Sequence, residues 1–239
     1  AGRFLLLFLL LALWEISADT GLLNDFIFSS PSRMLSCFVS MTADGSIFVH
    51  MGVTLFETLV SFVLVVLLGL SGAMLLWASR TVSDLLEPYL VMLNSLPKSA
   101  LAPILIVWLG NNMNTIIVAA VSVAVFGSIL TLHNGFSTMD PEQIKLIYSL
   151  GGTKKDVLRK VLLPGSLPLI ISNMKVNVGL CLVGVIIGEF LAADRGLGYL
   201  IIYGSQVFKM DMVVMSIVIL CFMSALLYQA IAVLEKKIN

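Results

Sequence analysis

Apolar positions in this chain fall in long uninterrupted runs, without the alternation at period two that marks half-buried strands. Six runs stand out: residues 4–16, 53–77, 85–109, 116–132, 167–192 and 212–234. A bilayer-crossing helix needs about 20 apolar residues. The first run is therefore short unless it extends upstream. The second opens with Thr54, Glu57 and Thr58, and Pro97, Lys98 and Pro103 interrupt the third. No internal repeat is visible. The pattern predicts an all-α membrane protein of about six transmembrane helices, forming a single domain over residues 1–239.

One long charged stretch, residues 133–165, separates the fourth and fifth runs. It reads as two short amphipathic helices. Asp140 is a good N-cap and Pro141 a good first helical residue. Gly151 and Gly152 end the first helix, because glycine accepts the left-handed backbone of a helix terminus. Thr153 with Asp156 three residues on is a capping-box variant that starts the second. That helix sets Val157, Leu158, Val161 and Leu162 on one face, and Pro164 and Pro168 are expected to stop it. The stretch suits an interfacial helix on anionic headgroups. It suits equally a docking surface whose Ile144, Ile147 and Tyr148 enter a partner's groove.

Composition sharpens the class. Hydrophobic residues make up 59% and charged residues 12% of the chain, and fourteen basic residues balance fourteen acidic ones. Such a chain is neither disordered nor a basic nucleic-acid binder. With a cytoplasmic N-terminus, Arg3, Arg80, Lys145, Lys154, Lys155, Arg159, Lys160, Lys236 and Lys237 lie inside, and Arg33, Arg195 and Lys209 outside. That asymmetry follows the positive-inside rule and predicts both termini in the cytoplasm. The opening run after Arg3 resembles a signal peptide in length, but Trp14 and Glu15 suit a membrane interface better. A start at Ala1 points to preceding residues. Cys37, Cys181 and Cys221 have no zinc or redox spacing, His50 and His133 are isolated, and no phosphate-binding Gly-x-x-x-x-Gly-Lys motif occurs. No catalytic constellation, metal site or cofactor site of the chain's own is expected.

Gly151, nine residues, then Val161-Leu162-Leu163-Pro164 resembles the cytoplasmic signature of ATP-binding cassette (ABC) importer permeases, Glu-Ala-Ala, three residues, Gly, nine residues, Ile-x-Leu-Pro. The Glu-Ala-Ala part is replaced here by Lys145, Leu146 and Ile147, which leaves docking to shape and apolar contact. Residues 96–110 (Leu-Pro-Lys-Ser-Ala-Leu-Ala-Pro-Ile-Leu-Ile-Val-Trp-Leu-Gly) and 188–201 (Gly-Glu-Phe-Leu-Ala-Ala-Asp-Arg-Gly-Leu-Gly-Tyr-Leu-Ile) resemble the sulfonate/taurine/nitrate-type branch. The similarity runs from about residue 80 to the C-terminus.

The resemblance implies a type I ABC importer permease fold with a coupling-helix loop at about 138–165. It implies a multi-pass protein of the inner membrane that moves a small solute. The implied partners are a second permease copy, two cytoplasmic subunits that bind ATP and Mg, and an extracytoplasmic solute-binding protein. Coupling to the ATPase falls to Ile144, Ile147, Tyr148, Gly151, Val161, Leu163 and Pro164. The substrate pathway falls to Asn94, Pro97, Lys98, Ser99 and Glu189. A bland interfacial position is expected for Glu57, and snorkelling or a partner within the bundle for Lys175. Gly184 and Gly188 allow close helix approach, within the chain or between copies. The competing reading is an ion-coupled transporter working through Glu57, Lys98, Lys175 and Glu189.

Overall fold

The computed structural model describes residues 2–21 and 25–238, and every regular element among them is helical. In chain order these are α1 (Gly2–Asp19), α2 (Asp25–Phe28), α3 (Pro31–Ala43), α4 (Ser46–Ala78), α5 (Arg80–Ser95), α6 (Lys98–Leu109), α7 (Met113–Ser137), α8 (Pro141–Ser149) and α9 (Lys154–Val157). A π-turn over Leu158–Leu162 follows, then α10 (Leu163–Gly165), α11 (Leu167–Ala192), α12 (Leu197–Gln206) and α13 (Met210–Ile238). Among the described residues, four helices are long and apolar enough to cross a bilayer: α4, α7, α11 and α13. The bent pair α5–α6 makes five. The expected first span corresponds to α1, which has 18 residues and carries Arg3, Glu15 and Asp19.

Helix boundaries follow local chemistry. The Asp44 carboxylate accepts the Ser46 N–H at 2.8 Å and opens α4. Ser79 ends α4 in extended backbone, and its hydroxyl accepts the Val82 N–H to start α5. Asn112 caps α7 by accepting the Thr115 N–H at 3.2 Å. The third run does not form one span: α5 and α6 meet at 96°. Proline disfavours helical backbone in the residue before it, and Leu96 accordingly sits in extended conformation ahead of Pro97. The sequence shows no apolar run for α3, yet its start is coded by Ser30, whose hydroxyl caps the helix, and by Pro31 in the first turn. An ion pair from Arg33 to Asp211 at 3.2 Å and the apolar side of α3, with Met34 and Phe38, dock it on α13.

The centre of the bundle is α7, gripped by α4 and α11. Small residues bring the backbones together without intervening side chains. A Cβ on Gly184 would lie 2.6 Å from the Ala120 Cα, and one on Gly188 would lie 3.1 Å from the Ile116 Cα. The Gly-x-x-x-Gly pair is thus spent on packing inside the chain. A polar staple crosses the same seam: Ser128 accepts from Asn173 at 2.7 Å and from Asn177 at 3.0 Å. Ser83 and His133 join α5 to α7 at 3.0 Å.

This close approach makes a testable difference between two glycines on α11. Gly184→Leu should lower stability in detergent by about 1–3 kcal/mol through overpacking. Gly179→Leu should leave the melting temperature unchanged, because a Cβ there meets nothing within 4 Å. Parallel thermal unfolding of both variants checks this.

Candidate functional site

Two regions at opposite ends of the bundle carry chemistry. At one end lies the loop of α8, α9 and the π-turn. Asp140 accepts the Glu142 N–H at 2.9 Å and caps α8. Gly151 ends it with φ +78°, and Gly152 follows because a Cβ there would lie 2.8 Å from the Ile147 carbonyl oxygen. The Thr153–Asp156 capping box forms: Asp156 accepts the Thr153 N–H at 2.9 Å, and Thr153 accepts the Asp156 N–H. Hydrogen bonds from Thr153 hold the Asp156 carboxyl down at about 2.

The second loop helix does not stop at Pro164. It widens into the π-turn, where the Leu163 N–H reaches back five residues to the Leu158 carbonyl. A proline ring collides with the carbonyl four residues before it in an ordinary α-helix, and the wider turn accommodates Pro164 inside continuous helical backbone. The break falls instead at Ser166, ahead of Pro168 in the first turn of α11.

The two halves of the loop have opposite surroundings. Val157 and Leu162 are fully buried, and Leu162 packs with Ala73, Leu132 and Phe136 of the bundle. Lys154 donates to the Ala78 carbonyl at the end of α4, 2.7 Å away, and lies 5.3 Å from the Trp77 ring centroid. A cation at a helix C-terminus is electrostatically favourable. The α8 side is uncovered: Leu150 is 75% exposed, Leu146 58% and Tyr148 47%. Ile144 and Ile147 are half-buried, Val161 and Leu163 are half-buried, and Gly151 and Pro164 are exposed.

At the other end, Glu189 is fully buried late in α11. Thr54 of α4 donates to it at 2.6 Å and accepts the Leu197 N–H at 2.8 Å. Glu189 also accepts the Gly198 N–H at 2.5 Å. The first N–H groups of a helix have no partner within it; here Thr54 and Glu189 supply partners for α12. A Cβ on Gly198 would lie 2.7 Å from Glu189 Oε2, so only glycine lets the carboxylate this close. His50 accepts the Gly196 N–H at 3.0 Å and stacks on Tyr199.

Glu57 is not interfacial. It is 1% exposed, and its side chain neighbours that of Glu189. Burial of α4 against α7 and α11 overrides its position near the start of the apolar run. Among the described residues, Glu57 Oε2 has no hydrogen-bond partner, and it has almost no accessible surface. Other atoms of Glu57 line a cavity of about 400 Å³ whose wall also includes Asn111, Asn112, Ile116, Asp194 and Arg195.

The other expected pathway residues lie elsewhere. Asn94, Pro97 and Ser99 are exposed around the α5–α6 bend, and Lys98 donates to the Asn94 carbonyl at the end of α5. Lys175 pairs with Glu235 of α13 and lies 5.8 Å from the Tyr228 ring centroid. Of the four charges Glu57, Lys98, Lys175 and Glu189, only the two glutamates meet. Sequence reasoning missed the exposure of Leu146 and Leu150 and the Ser128–Asn173–Asn177 staple. The i, i+4 spacing of two asparagines on an apolar helix was the available signal for the staple.

The bundle is apolar enough to sit in a membrane, fastens half of a polar loop to its core and holds out the other half. Residues 65–239 match the family described as binding-protein-dependent transport system inner membrane component, and the chain belongs to it. It is 31% identical over 222 residues to a probable ABC transporter permease protein of Haemophilus influenzae, covering 93% of this chain and 90% of that one. It is 26% identical over 227 residues to the putative aliphatic sulfonates transport permease SsuC of Escherichia coli (95% and 86% covered). It is 23% identical over 236 residues to the taurine transport system permease TauC of the same organism (96% and 86% covered). Among solved structures, an inward-facing form of the MetNI methionine ABC transporter superposes with a TM-score of 0.70 at 20% identity, covering 78% of this chain and 93% of that one. The fold is that of a type I ABC importer permease, and the chain is the membrane permease subunit of an ABC importer.

The α12 anchor is directly testable. Thr54→Val removes the donor to Glu189 and the acceptor for Leu197 together. Amide hydrogen exchange at Leu197 and Gly198 should accelerate by about tenfold, the effect of losing roughly 1–2 kcal/mol of hydrogen bonding, while exchange in α7 stays unchanged.

Proposed function

We propose that α8 is the handle by which ATP-binding subunits drive this permease. The observation that carries the reading is the exposed set Leu146, Tyr148 and Leu150, held out by a segment locked into the bundle. A helix laying an apolar face into a partner's groove is a recurrent docking mode. Ile144 and Ile147 support that face from beneath, Gly151 ends it, and Val161, Leu163 and Pro164 set its attachment. Two such subunits supply ATP and Mg, and this chain hydrolyses nothing itself.

The loop end faces the cytoplasm, with both termini, in keeping with the distribution of Lys and Arg. A second copy completes the pathway. The α5–α6 bend supports this: broken backbone at membrane depth survives where protein or a cavity covers it, and Asn94, Pro97, Lys98 and Ser99 stand at a bend that the chain alone leaves open. A solute-binding protein delivers cargo at the α12 end. The cargo is a small solute of the sulfonate, taurine or nitrate type, supported by the relatives that transport sulfonates and taurine. The ion-coupled alternative lacks a gathered set of charges, since Lys98 and Lys175 are engaged locally.

Leu150→Asp should abolish co-purification of the ATP-binding subunit and solute uptake, with an unchanged melting temperature for the permease. Wild-type permease purified alone should show no ATP hydrolysis. Retained capture by Leu150→Asp, or intrinsic hydrolysis, would contradict the reading.

A further inference from the structure

We propose that Pro164 is a positioning residue for coupling: it keeps the π-turn over Leu158–Leu162 wide, and that turn sets the rotation at which α8 is presented to the ATP-binding subunit. The proposal rests on the reading of α8 as the docking handle and names what aims it. Val157 and Leu162 are both fully buried, and they stand five residues apart. An α-helix turns about 100° per residue, so five residues would set two side chains roughly 140° apart, on different sides of the helix. The π-turn takes up one residue more, because the Leu163 N–H bonds the Leu158 carbonyl five residues back. That residue brings Leu162 round to the side of Val157. Leu158 packs with Leu162 against the bundle, and Arg159 and Lys160 stay exposed.

Pro164 carries the second observation. A π-turn is rare and needs a cause. In an α-helix the Pro164 ring would meet the Lys160 carbonyl, and Pro164 has no N–H to offer it. Leu163 nevertheless keeps helical backbone, with φ −62° and ψ −48°, although a residue before proline disfavours that region. The helix runs through the proline on a widened turn. The rotation fixed there reaches α8, because α9 leads into the π-turn without a break. The Gly152 N–H bonds the Ile147 carbonyl at 2.9 Å, and the Thr153–Asp156 capping box closes the start of α9. With an α-turn in its place, either Val157 or Leu162 would leave the bundle, and α8 would swing with α9.

The test compares three variants with wild type in lipid nanodiscs: Pro164→Ala, deletion of Arg159, and the two combined. Spin labels at Glu142→Cys and Ser71→Cys, in a background without native cysteines, report the distance from α8 to α4. Pro164→Ala lets the π-turn close to an α-turn, and the distance should shift by about 5 Å or more, the rise of a helical turn. Deletion of Arg159 alone should shift it too, because it forces an α-turn onto the proline. The combination should restore the wild-type distance, since Val157 and Leu162 then stand four residues apart and share a face of an α-helix. Capture of the ATP-binding subunit should be lost in each single variant and return in the double. An unchanged distance in Pro164→Ala, or a double variant that fails to fold or to recover the distance, would overturn the proposal. Should Pro164→Ala alone not fold, the deletion of Arg159 with and without Pro164→Ala still decides, because a proline that served stability alone would not become dispensable when the turn is shortened. Wild-type permease that captures no subunit overturns the importer reading instead, and the distances then judge the turn by themselves.

Discussion

Whatever force α8 transmits must pass through the anchoring of the segment behind it. Val157 and Leu162 are buried in the bundle, and Lys154 is tied to the last carbonyl of α4. Without that fastening α8 would be a flexible appendage. With it, a displacement of α8 is a displacement of α4 and α7. The π-turn belongs to the same device: it carries helical backbone through Pro164 where an ordinary turn would break, and so joins the loop to α11 with little slack.

The bundle can behave as a lever because its seams are tight. Gly184 and Gly188 put α11 backbone against α7, and Ser128 with Asn173 and Asn177 pins the register. Side chains at such seams have few alternative arrangements, and packed interfaces tend to switch between discrete states instead of deforming continuously. At the far end, α12 hangs on Glu189 and Thr54. A shift of α4 against α11 would disturb that anchor directly, since one residue comes from each helix. The two ends of the molecule are thereby connected through the same pair of helices.

Much of this was legible in the sequence, and the failures have physical causes. The span 167–192 matches α11 at both ends, because Pro168 and the Asp194–Gly196 turn punctuate it. The caps at Asp140 and Thr153 were readable because capping is local. Pro97 announced an interruption, but not its 96° angle, which depends on what α5 and α6 pack against. The helix α3 escaped notice because its half-polar surface forms no apolar run, although Ser30-Pro31 marked its start. The contact of Glu57 with Glu189 was invisible because nothing local links two residues on different helices. Position along the run suggested an interface for Glu57, and only the packing of α4 on α11 shows it buried. Likewise, the apolar face of α8 was legible, but which of its residues remain uncovered depends on how α9 docks.

The central claim is that the loop and the bundle move as one body. Spin labels at Glu142→Cys on α8 and Ser71→Cys on α4, in a background without native cysteines, report their separation by pulsed electron resonance in the assembled transporter. The account predicts that nucleotide-free and ATP-bound states give the same distance within about 2 Å. A change of a helical turn, about 5 Å, would show the loop sliding on the bundle and would contradict it.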